Sequence, residues 1–368
     1  MKQSQQIMKS FQTIYFNWLV LFLIPVLLMG CRPGWDIEIQ NPYAGVDWKN
    51  DHRYTANFHT HTTRSDGRMN PQTVVDKYHE LGYKILAITD HNEVTYPWTS
   101  FAEMEPSNGS LQRLENGQLE EQDLVYENRD PQQMGMLAIQ GNELSRHHHM
   151  GSYFNDYNGA ETEEESLEAT AAKNSLAMLF HPGRYTGREP EKYNTCWYID
   201  LLQRYHHLIG IEIYNQGDRY PNDRELYDAI LSQIIPDRPV WAYSNDDMHH
   251  SSTLGRNWNV LLLPELNETW VRKGMQDGRS FYVYSPLGHN GIKLPQIKEI
   301  IVKNRKGLIE INVTGHDSIR WISEGKVIHL GEKLLLKETP NIGNYVRAEI
   351  FGAGNSIIGT QPFGIKEK

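Results

Sequence analysis

The stretch "NFHTHTTRSDG", Asn57–Gly67, places two histidines at alternate positions where a strand-like run passes into a polar loop. Alternate residues of a strand point to the same face, so the neutral imidazoles of His59 and His61 could bind one metal ion together. Asp66 offers a carboxylate five residues later. Taken alone, the pair could equally be two surface histidines. The choice depends on what other strands bring near them.

Apolar strands alternate with helices from about residue 50, which predicts an α/β fold with parallel strands and crossover helices. A polar stretch, 99–133, interrupts the alternation and is predicted to be a helix with an irregular excursion. The strand-like segments after the opening stretch are "YKILAITDH" (83–91), "MLAIQGNELS" (136–145), "SLAMLFHPG" (175–183), "LIGIEIYN" (208–215) and "RPVWAYSNDD" (238–247).

Polar residues that can bind or support a metal ion stand at the carboxyl ends of these strands. They are His59 and His61, Asp90 and His91, Glu143, His181, Glu212 with Asn215, and Asn245 to His249. Each could have a local role, such as a helix cap for Asp90 or a turn for His181. In a barrel of parallel strands, however, all of these ends lie on one face. Their joint occurrence predicts a metal centre in one cleft.

The motifs "HTHTTRSDG", "ITDHN", "GNELS", "FHPGR" and "NDDMH", in this order, resemble the PHP (polymerase and histidinol phosphatase) superfamily of metal-dependent phosphoesterases. The resemblance covers residues 52–285. It implies a distorted (β/α)7 barrel, assigned here to residues 52–290, and two or three divalent ions of zinc, manganese or iron. Histidine and carboxylate ligands without cysteine suit these ions.

Carried over by position, the resemblance implies nine metal ligands, among which Glu143 and Asp247 are expected to be catalytic. His59, His61, Asp247 and Glu143 would bind the first ion; Glu143, His181 and one further histidine the second; and Asp66, His91 and His249 the third.

Two positions of this ligand set have neighbours that compete for the same role. His147, His148 and His149 could each supply the further histidine; His149 is favoured because "HMGSYF" predicts the start of the next strand. Asp246 competes with Asp247, but only Asp247 stands two residues before His249.

The expected reaction is hydrolysis of a small phosphoester. A water shared by two ions would have its pKa lowered toward about 7 and could attack as hydroxide. Arg184 and Arg64 are candidates for binding an anionic substrate, although each could form only a surface salt bridge. Asn215 is a third candidate for substrate binding and, with Glu212, is expected to face the same cleft. Amides, carbamates and carboxylic esters are alternative substrates for the same centre.

The amino terminus is typical of an exported protein. Lys2 and Lys9 precede the apolar run "WLVLFLIPVLLMG", 18–30, and Leu28-Met29-Gly30-Cys31 resembles a bacterial lipobox. This implies a signal peptide of residues 1–30, lipidation of Cys31, a linker over 31–51, and an extracytoplasmic protein held at a bacterial membrane by its lipid. An uncleaved signal anchor is the alternative.

The carboxyl-terminal residues change character to short alternating strands with Gly and Asn turns. Six such segments predict a small all-β sandwich over 294–368. A similar appendage occurs in extracytoplasmic carbaryl-hydrolase-like members of the superfamily. A noncatalytic lipoprotein that binds a partner or glycan is therefore a further alternative. The net charge of −10 argues against a nucleic-acid polymer as the partner.

Overall fold

The computed structural model describes residues 37–289 and 292–367. The predicted signal peptide, 1–30, and the predicted lipidation site, Cys31, lie outside these residues. Within the described ranges, every helix is too short or too polar to cross a membrane.

The first part of the chain contains eleven of the described strands. They are β1 (Ile37–Gln40), β2 (His52–Asn57), β3 (Ile85–Ala87), β4 (Leu137–Ile139), β5 (Gly141–Leu144), β6 (Met150–Tyr153), β7 (Leu176–Leu179), β8 (Leu208–Asn215), β9 (Trp241–Asn245), β10 (Asn257–Leu263) and β11 (Ser280–Tyr284). The later strands are β12 (Gln296–Lys303), β13 (Leu308–Thr314), β14 (Ser318–Ser323), β15 (Lys326–Leu330), β16 (Lys333–Leu335), β17 (Tyr345–Gly352), β18 (Ser356–Thr360) and β19 (Phe363–Glu367).

The described helices all lie in the first part of the chain, apart from single 3-10 turns. They are α1 (Pro71–Glu80), α2 (Asn108–Glu115), α3 (Glu163–Ala172), α4 (Gly183–Arg188), α5 (Thr195–Arg204), α6 (Asn222–Ile234) and α7 (Glu268–Asp277). The 3-10 segments are Trp98–Glu103, Glu121–Leu124, Asn304–Lys306 and Ala353–Asn355.

Helix α1 shows how local sequence sets these elements. The Asn70 side chain accepts a hydrogen bond from Thr73 N at 3.2 Å, and Pro71 occupies the first helical position, where its missing N–H costs nothing. Val74, Val75 and Tyr78 recur on one face and are buried. The helix thereby covers the core next to the loop that carries His61 and Asp66.

The sheets confirm a mixed α/β fold. Strands β2, β3 and β4 are parallel, as are β7, β8 and β9. Strand β6 is antiparallel to β5 and β7, and β10 is antiparallel to β2 and β11. The prediction of uniformly parallel strands is therefore wrong at β6 and β10. The connection from β5 to β6, 145–149, is too short for a crossover helix and so reverses the chain.

Strands β5 to β9 form a five-stranded sheet, whereas β2, β3 and β4 belong to an eleven-stranded sheet. Two isolated parallel bridges, Thr60 with Met248 and His91 with Glu143, connect these sheets at the carboxyl ends of their strands. The described ladders do not close into one continuous barrel, so the (β/α)7 barrel is not confirmed. The bridges nevertheless bring together the strand ends that carry the predicted ligands.

The eleven-stranded sheet continues into the carboxyl-terminal part. Phe281 of β11 pairs with Thr360 of β18, and β17, β14 and β19 extend the same sheet. Strand β1, in the segment predicted to be a linker, pairs with β19. Strands β12, β13 and β16 form a separate three-stranded sheet. The sheet thus crosses the predicted boundary near residue 290, and the division into two domains stays a prediction.

A buried ion pair fastens the carboxyl-terminal strands to helix α6. Arg347 Nε and Nη2 donate to the two carboxylate oxygens of Asp228 at 2.8 and 2.7 Å, and Nη1 donates to Glu349 at 2.7 Å. The Tyr345 hydroxyl also donates to Asp228, at 2.7 Å. Because Arg347 is 2% exposed, water cannot replace these contacts.

Replacing Arg347 should therefore destabilise the whole fold. We expect Arg347→Met to lower the free energy of unfolding by about 3–5 kcal/mol, since the buried Asp228 would lose its cationic partner and keep only the Tyr345 hydroxyl. Urea unfolding of the purified chain measures this change. The control is Arg320→Met, on the exposed side of β14, which should change stability by no more than about 0.5 kcal/mol. Equal effects of the two substitutions would contradict the role of the ion pair.

Candidate metal centre

Seven of the nine predicted ligands line one open cavity of about 390 Å³ at the carboxyl ends of the strands, and the other two, His59 and His61, contact Glu143 and Asp247. Its lining comprises Asp66, His91, Glu143, His149, His181, Arg184, Gln216, Arg219, Asp247 and His249. His59 and His61 lie directly beneath it, both wholly buried.

Glu143 stands at the middle of the cluster and is wholly buried. Its Oε1 lies 2.8 Å from His149 Nδ1 and 3.4 Å from His181 Nε2. Its Oε2 lies 2.8 Å from His91 Nδ1 and 3.3 Å from His61 Nε2. Both carboxylate oxygens therefore face imidazole nitrogens, the arrangement required for one carboxylate to be shared between ions.

One carboxylate oxygen of Asp247 faces His59 and His61, and the other accepts hydrogen bonds from side-chain amides. Oδ1 lies 3.2 Å from His59 Nε2 and 3.1 Å from His61 Nε2. Oδ2 accepts hydrogen bonds from Asn215 Nδ2 at 3.2 Å and Gln216 Nε2 at 3.0 Å. The φ angle of Asp247 is +43°, a left-handed conformation that costs energy for a non-glycine residue and is found at functional sites.

Asp66 forms the outer side of the cluster. Its Oδ1 lies 3.1 Å from His249 Nε2 and 3.5 Å from His61 Nδ1, and its Oδ2 lies 3.4 Å from His91 Nε2. Burial raises the pKa of Asp66, but the imidazoles of His249 and His91 offset this and hold it well below its usual range. The carboxylate is thus available as an anionic ligand.

The donor atoms of the cluster fit metal binding. The following buried atoms have no hydrogen-bond partner: His59 Nε2, His61 Nε2, His91 Nδ1, His149 Nδ1, both oxygens of Glu143 and Oδ1 of Asp247. Such atoms are rare in native proteins unless something else binds them. Ligands about 2.1 Å from a tetrahedral ion lie about 3.4 Å apart. The contacts of His59 and His61 with Glu143 and Asp247, 3.1–3.5 Å, agree with this spacing.

The buried carboxylates of the cluster also favour the binding of cations. Burial lowers the pKa of His59, yet the carboxylates of Asp247, Glu212 and Glu143 outweigh it and raise the pKa to about 10. Concentrated buried anionic charge has this effect, because it stabilises any positive charge placed beside it. Metal ions would compete with protons for these positions.

Within residues 37–289 and 292–367, four groups of three or four side chains have donor atoms close enough to share an ion. They are His61, Asp66, His91 and His249; His59, His181 and Asp247; His59, His61 and Glu143; and His91, Glu143 and His149. The groups share members, and none of them has the same members as the ligand set expected for any one of the three ions. The ligand set is brought together, while the number of ions and the assignment of each ligand remain predictions.

Glu212 does not line the cavity, but its hydrogen bonds orient residues of the cluster. Its Oε1 lies 3.1 Å from His59 Nδ1 and accepts a hydrogen bond from Asn245 at 3.0 Å. Its Oε2 accepts from His181 N at 3.0 Å and from Asn215 at 2.9 Å. With Nδ1 of His59 bound to Glu212, Nε2 is left to face the cluster, which is the usual arrangement behind a metal-binding histidine.

The structure separates the three adjacent histidines. His149 contacts Glu143, as favoured from the sequence. His147 Nε2 instead lies 2.7 Å from the Ser166 hydroxyl, and His148 Nε2 lies 3.0 Å from that of Tyr198. Of this run, only His149 lines the cavity.

The neighbouring aspartates are separated in the same way. Asp246 points away from the pocket: its Oδ2 accepts from the Tyr78 hydroxyl at 3.0 Å, and its oxygens also accept backbone N–H bonds from Gly255, Arg256 and Asn257. Burial raises the pKa of Asp246 to about 7. Asp246 therefore shapes the loop before β10 and leaves the cluster to Asp247.

The predicted substrate-binding residues are only partly brought to the cavity. Arg184 lines it. Arg64 does not, because its guanidinium is bound to the Glu93 carboxylate and, at 2.8 Å, to the Glu105 carbonyl. Asn215 is 1% exposed and its amide nitrogen binds Glu212 and Asp247, so it supports ligands instead of meeting substrate.

Sequence reasoning missed Arg219 and Gln216, which also line the cavity. Arg219 Nη1 donates to Gln216 Oε1 at 2.7 Å. Both belong to "NQGDR", 215–219, directly after β8, so their place after a ligand-bearing strand was the available signal. Two guanidinium groups, Arg184 and Arg219, thus stand beside the cluster.

Comparison with known proteins identifies a family for part of the chain. The PHP domain family matches residues 57–236, which run from the last residue of β2 to just beyond α6 and include seven of the nine predicted ligands. No curated protein sequence matches the chain at a significant level.

Several solved structures are similar at low identity. A two-domain protein from Bacteroides vulgatus, described as containing a PHP-like metal-dependent phosphoesterase, is 16% identical with a TM-score of 0.49, over 86% of this chain and 88% of that one. PsfC from Pseudomonas syringae is 15% identical with a TM-score of 0.40, over 64% and 94%. A lesion-specific endonuclease Q from Pyrococcus furiosus is 15% identical with a TM-score of 0.38, over 61% and 56%.

The central position of Glu143 predicts the effect of removing its charge. Glu143→Gln should lower the number of ions retained after dialysis by at least one per chain, because a shared carboxylate would become a weak, neutral ligand. Metal analysis of the dialysed protein measures this. The matched control is Glu163→Gln, since Glu163 is also buried but binds Tyr193 and Lys192 outside the cavity. Unchanged metal content in Glu143→Gln would show that this carboxylate binds no ion.

Proposed function

We propose, since residues 57–236 of the chain match the PHP domain family, that the protein is a metal-dependent hydrolase of a small phosphoester. The observation that carries this proposal is that Glu143 and Asp247, whose unpartnered oxygens face the unpartnered nitrogens of His59 and His61, line one open cavity together with two arginines. An open cavity leaves space for a substrate, which a closed structural metal site would not.

The donors favour two or three ions of zinc, manganese or iron, as nitrogen and oxygen ligands without cysteine suit these metals. Such ions, when bound, supply positive charge and lower the pKa of water in the site. Glu143 and Asp247 would keep the ions together and in place. Glu212 and Asn215 would fix the direction of His59 and Asp247.

Arg184 and Arg219 are suited to bind the anionic group of the substrate. Both line the cavity, and Arg184 Nε is buried without a hydrogen-bond partner. Arg219 is held toward the cavity by Gln216, which in turn binds Asp247. Guanidinium groups bind phosphate oxygens in paired hydrogen bonds and retain their charge at any physiological pH.

This role of the arginines predicts a specific kinetic effect. Arg184→Met and Arg219→Met should each lower kcat/KM for a phosphomonoester about 10-fold or more, because a charge-assisted hydrogen bond contributes roughly 1.5–3 kcal/mol. Hydrolysis of p-nitrophenyl phosphate by the metal-loaded chain measures this, with metal content recorded in parallel. Arg188→Met is the control, since Arg188 ends the same helix α4 but is exposed and does not line the cavity.

The same assay separates the alternatives. Hydrolysis of carboxylic esters, amides or carbamates without hydrolysis of phosphoesters would replace the phosphoester with these substrates on the same centre. A metal-loaded chain that hydrolyses none of them would favour the noncatalytic partner- or glycan-binding lipoprotein. If both arginine substitutions left phosphoester hydrolysis unchanged, the role given to Arg184 and Arg219 would be wrong, while the hydrolase itself would stand.

We further propose that the protein acts outside the cytoplasm, held at a bacterial membrane by lipid on Cys31. The support is the sequence alone: basic residues, the apolar run 18–30 and the lipobox-like Leu28-Met29-Gly30-Cys31. In bacteria, the wild-type chain should incorporate labelled palmitate and Cys31→Ala should not. Equal labelling of the two, or none, would contradict the lipid anchor.

A further inference from the structure

The polar segment between β3 and β4 contains helix α2, which packs beside the loop that carries Asp66. The helix begins at Ser107, whose side chain accepts a hydrogen bond from Ser110 N at 3.0 Å. Ser107, Ser110 and Arg113 follow at intervals of three residues, so their side chains share one face of the helix. That face contacts the backbone of residues 63–67.

Arg113 binds the backbone on both sides of Asp66. Its Nη1 donates to the carbonyl of Ser65 at 2.8 Å and to that of Gly67 at 2.9 Å. The two accepting carbonyls belong to the residues immediately before and after Asp66. One guanidinium nitrogen therefore fixes the backbone from which the Asp66 carboxylate extends.

The two serines bind the preceding carbonyls of the same loop. Ser110 Oγ donates to the Thr63 carbonyl at 2.7 Å, and Ser107 Oγ donates to the Arg64 carbonyl at 2.5 Å. Ser110 is wholly buried, so its hydroxyl is not shared with solvent. Arg64 closes the contact from the other side by donating to the Glu105 carbonyl.

The opposite side of the loop is bound to Asp90. Its Oδ1 accepts from Thr62 N at 2.7 Å and from Ser65 Oγ at 2.6 Å. The loop is thus hydrogen-bonded to Asp90 on one side and to α2 on the other. The Asp66 side chain itself is 49% exposed. It contacts the imidazoles of His249, His91 and His61 and the Ser65 hydroxyl.

Close packing restricts the backbone conformation of this loop. A Cβ on Gly67 would lie 2.6 Å from the carbonyl carbon of His61, so only glycine lets the loop fold back this closely on its own backbone. Arg68 N then donates to the His249 carbonyl at 2.9 Å. The backbone around Asp66 is therefore held by several neighbours. The polar segment 99–133 contributes α2, together with the Glu105 and Asp123 carbonyls that accept from Arg64 and Thr63.

We propose that Ser107, Ser110 and Arg113, here called the α2 clamp, position Asp66 to bind the outer ion together with His91 and His249. The inference rests on the proposed metal centre. Arg113 is a positioning residue that acts through the backbone and does not touch an ion. An exposed loop carboxylate loses conformational entropy when it binds an ion, and a clamp that orders the loop beforehand reduces that loss.

The experiment is Mn²⁺ binding to the purified full-length chain by isothermal titration calorimetry, with metal analysis after dialysis. We expect Arg113→Met to raise the Kd of the ion that Asp66→Ala weakens about 10-fold or more, the effect typical of residues that orient ligands, and to leave the Kd of the other ions unchanged. Arg113→Lys should restore part of the affinity, because an ammonium can still donate to the Ser65 or Gly67 carbonyl. Ser110→Ala should weaken the same ion.

Two comparisons distinguish positioning from general damage. Arg129→Met removes another arginine of the same segment, one that binds Asp76 at 2.8 Å and not the loop, and should leave every Kd unchanged. In an Asp66→Ala background the outer ion is already weakened, so adding Arg113→Met should have no further effect on metal binding. A full additional effect in that background would overturn the clamp.

The remaining outcomes also test the α2 clamp and the metal centre separately. If Asp66→Ala loses an ion while Arg113→Met and Ser110→Ala bind all ions as the wild type does, the metal centre stands and the clamp is wrong. If Arg113→Met weakens all ions equally, or no more than Arg129→Met does, its effect is not through Asp66 and the clamp is wrong. A wild-type chain that binds no Mn²⁺ would overturn the proposed function and the clamp with it.

Discussion

The structure is organised around a buried carboxylate, Glu143, whose charge must be compensated. Burying an ionised carboxylate away from water is strongly unfavourable unless cations or hydrogen-bond donors surround it. Here the surrounding groups are five imidazoles from different loops and strand ends, those of His59, His61, His91, His149 and His181. Their nitrogens and the carboxylate oxygens converge in a geometry that ions satisfy better than hydrogen bonds do.

The fold meets this requirement by bringing strand ends together at the expense of regular pairing. Isolated bridges at Thr60 and His91 replace continuous ladders between the two sheets. His181, Gln216 and Asp247 adopt positive φ angles where strands β7, β8 and β9 have just ended. The cost of these conformations is offset elsewhere by buried apolar strands and by the Arg347–Asp228 ion pair, which fastens the carboxyl-terminal strands to α6.

The sequence predicted the parts of the centre that depend on local periodicity. The HxH pattern of His59 and His61 and the carboxylates at the ends of apolar strands follow from rules that act within a few residues. Their convergence could be predicted because crossover connections place successive strand ends on one face. His149 was preferred over its neighbours for the same local reason, its position before β6.

Features that depend on distant partners were not predictable in this way. Nothing near Arg64 indicates that Glu93 and the Glu105 carbonyl would bind its guanidinium. The reversal at β6 and the antiparallel strand β10 depend on which neighbour each strand finds, as does the pairing of β1 with β19 across more than 300 residues of sequence. Long-range pairing of this kind leaves only a weak trace in a single sequence.

The central claim is that ions share the Glu143 carboxylate, and anomalous X-ray diffraction from crystals of the protein soaked in Mn²⁺ tests it most directly. The account predicts at least two manganese peaks about 3.5–4 Å apart, with Glu143 bound to both and Asp247 to one. Well-occupied crystals with no manganese peak within coordination distance of Glu143 would contradict it.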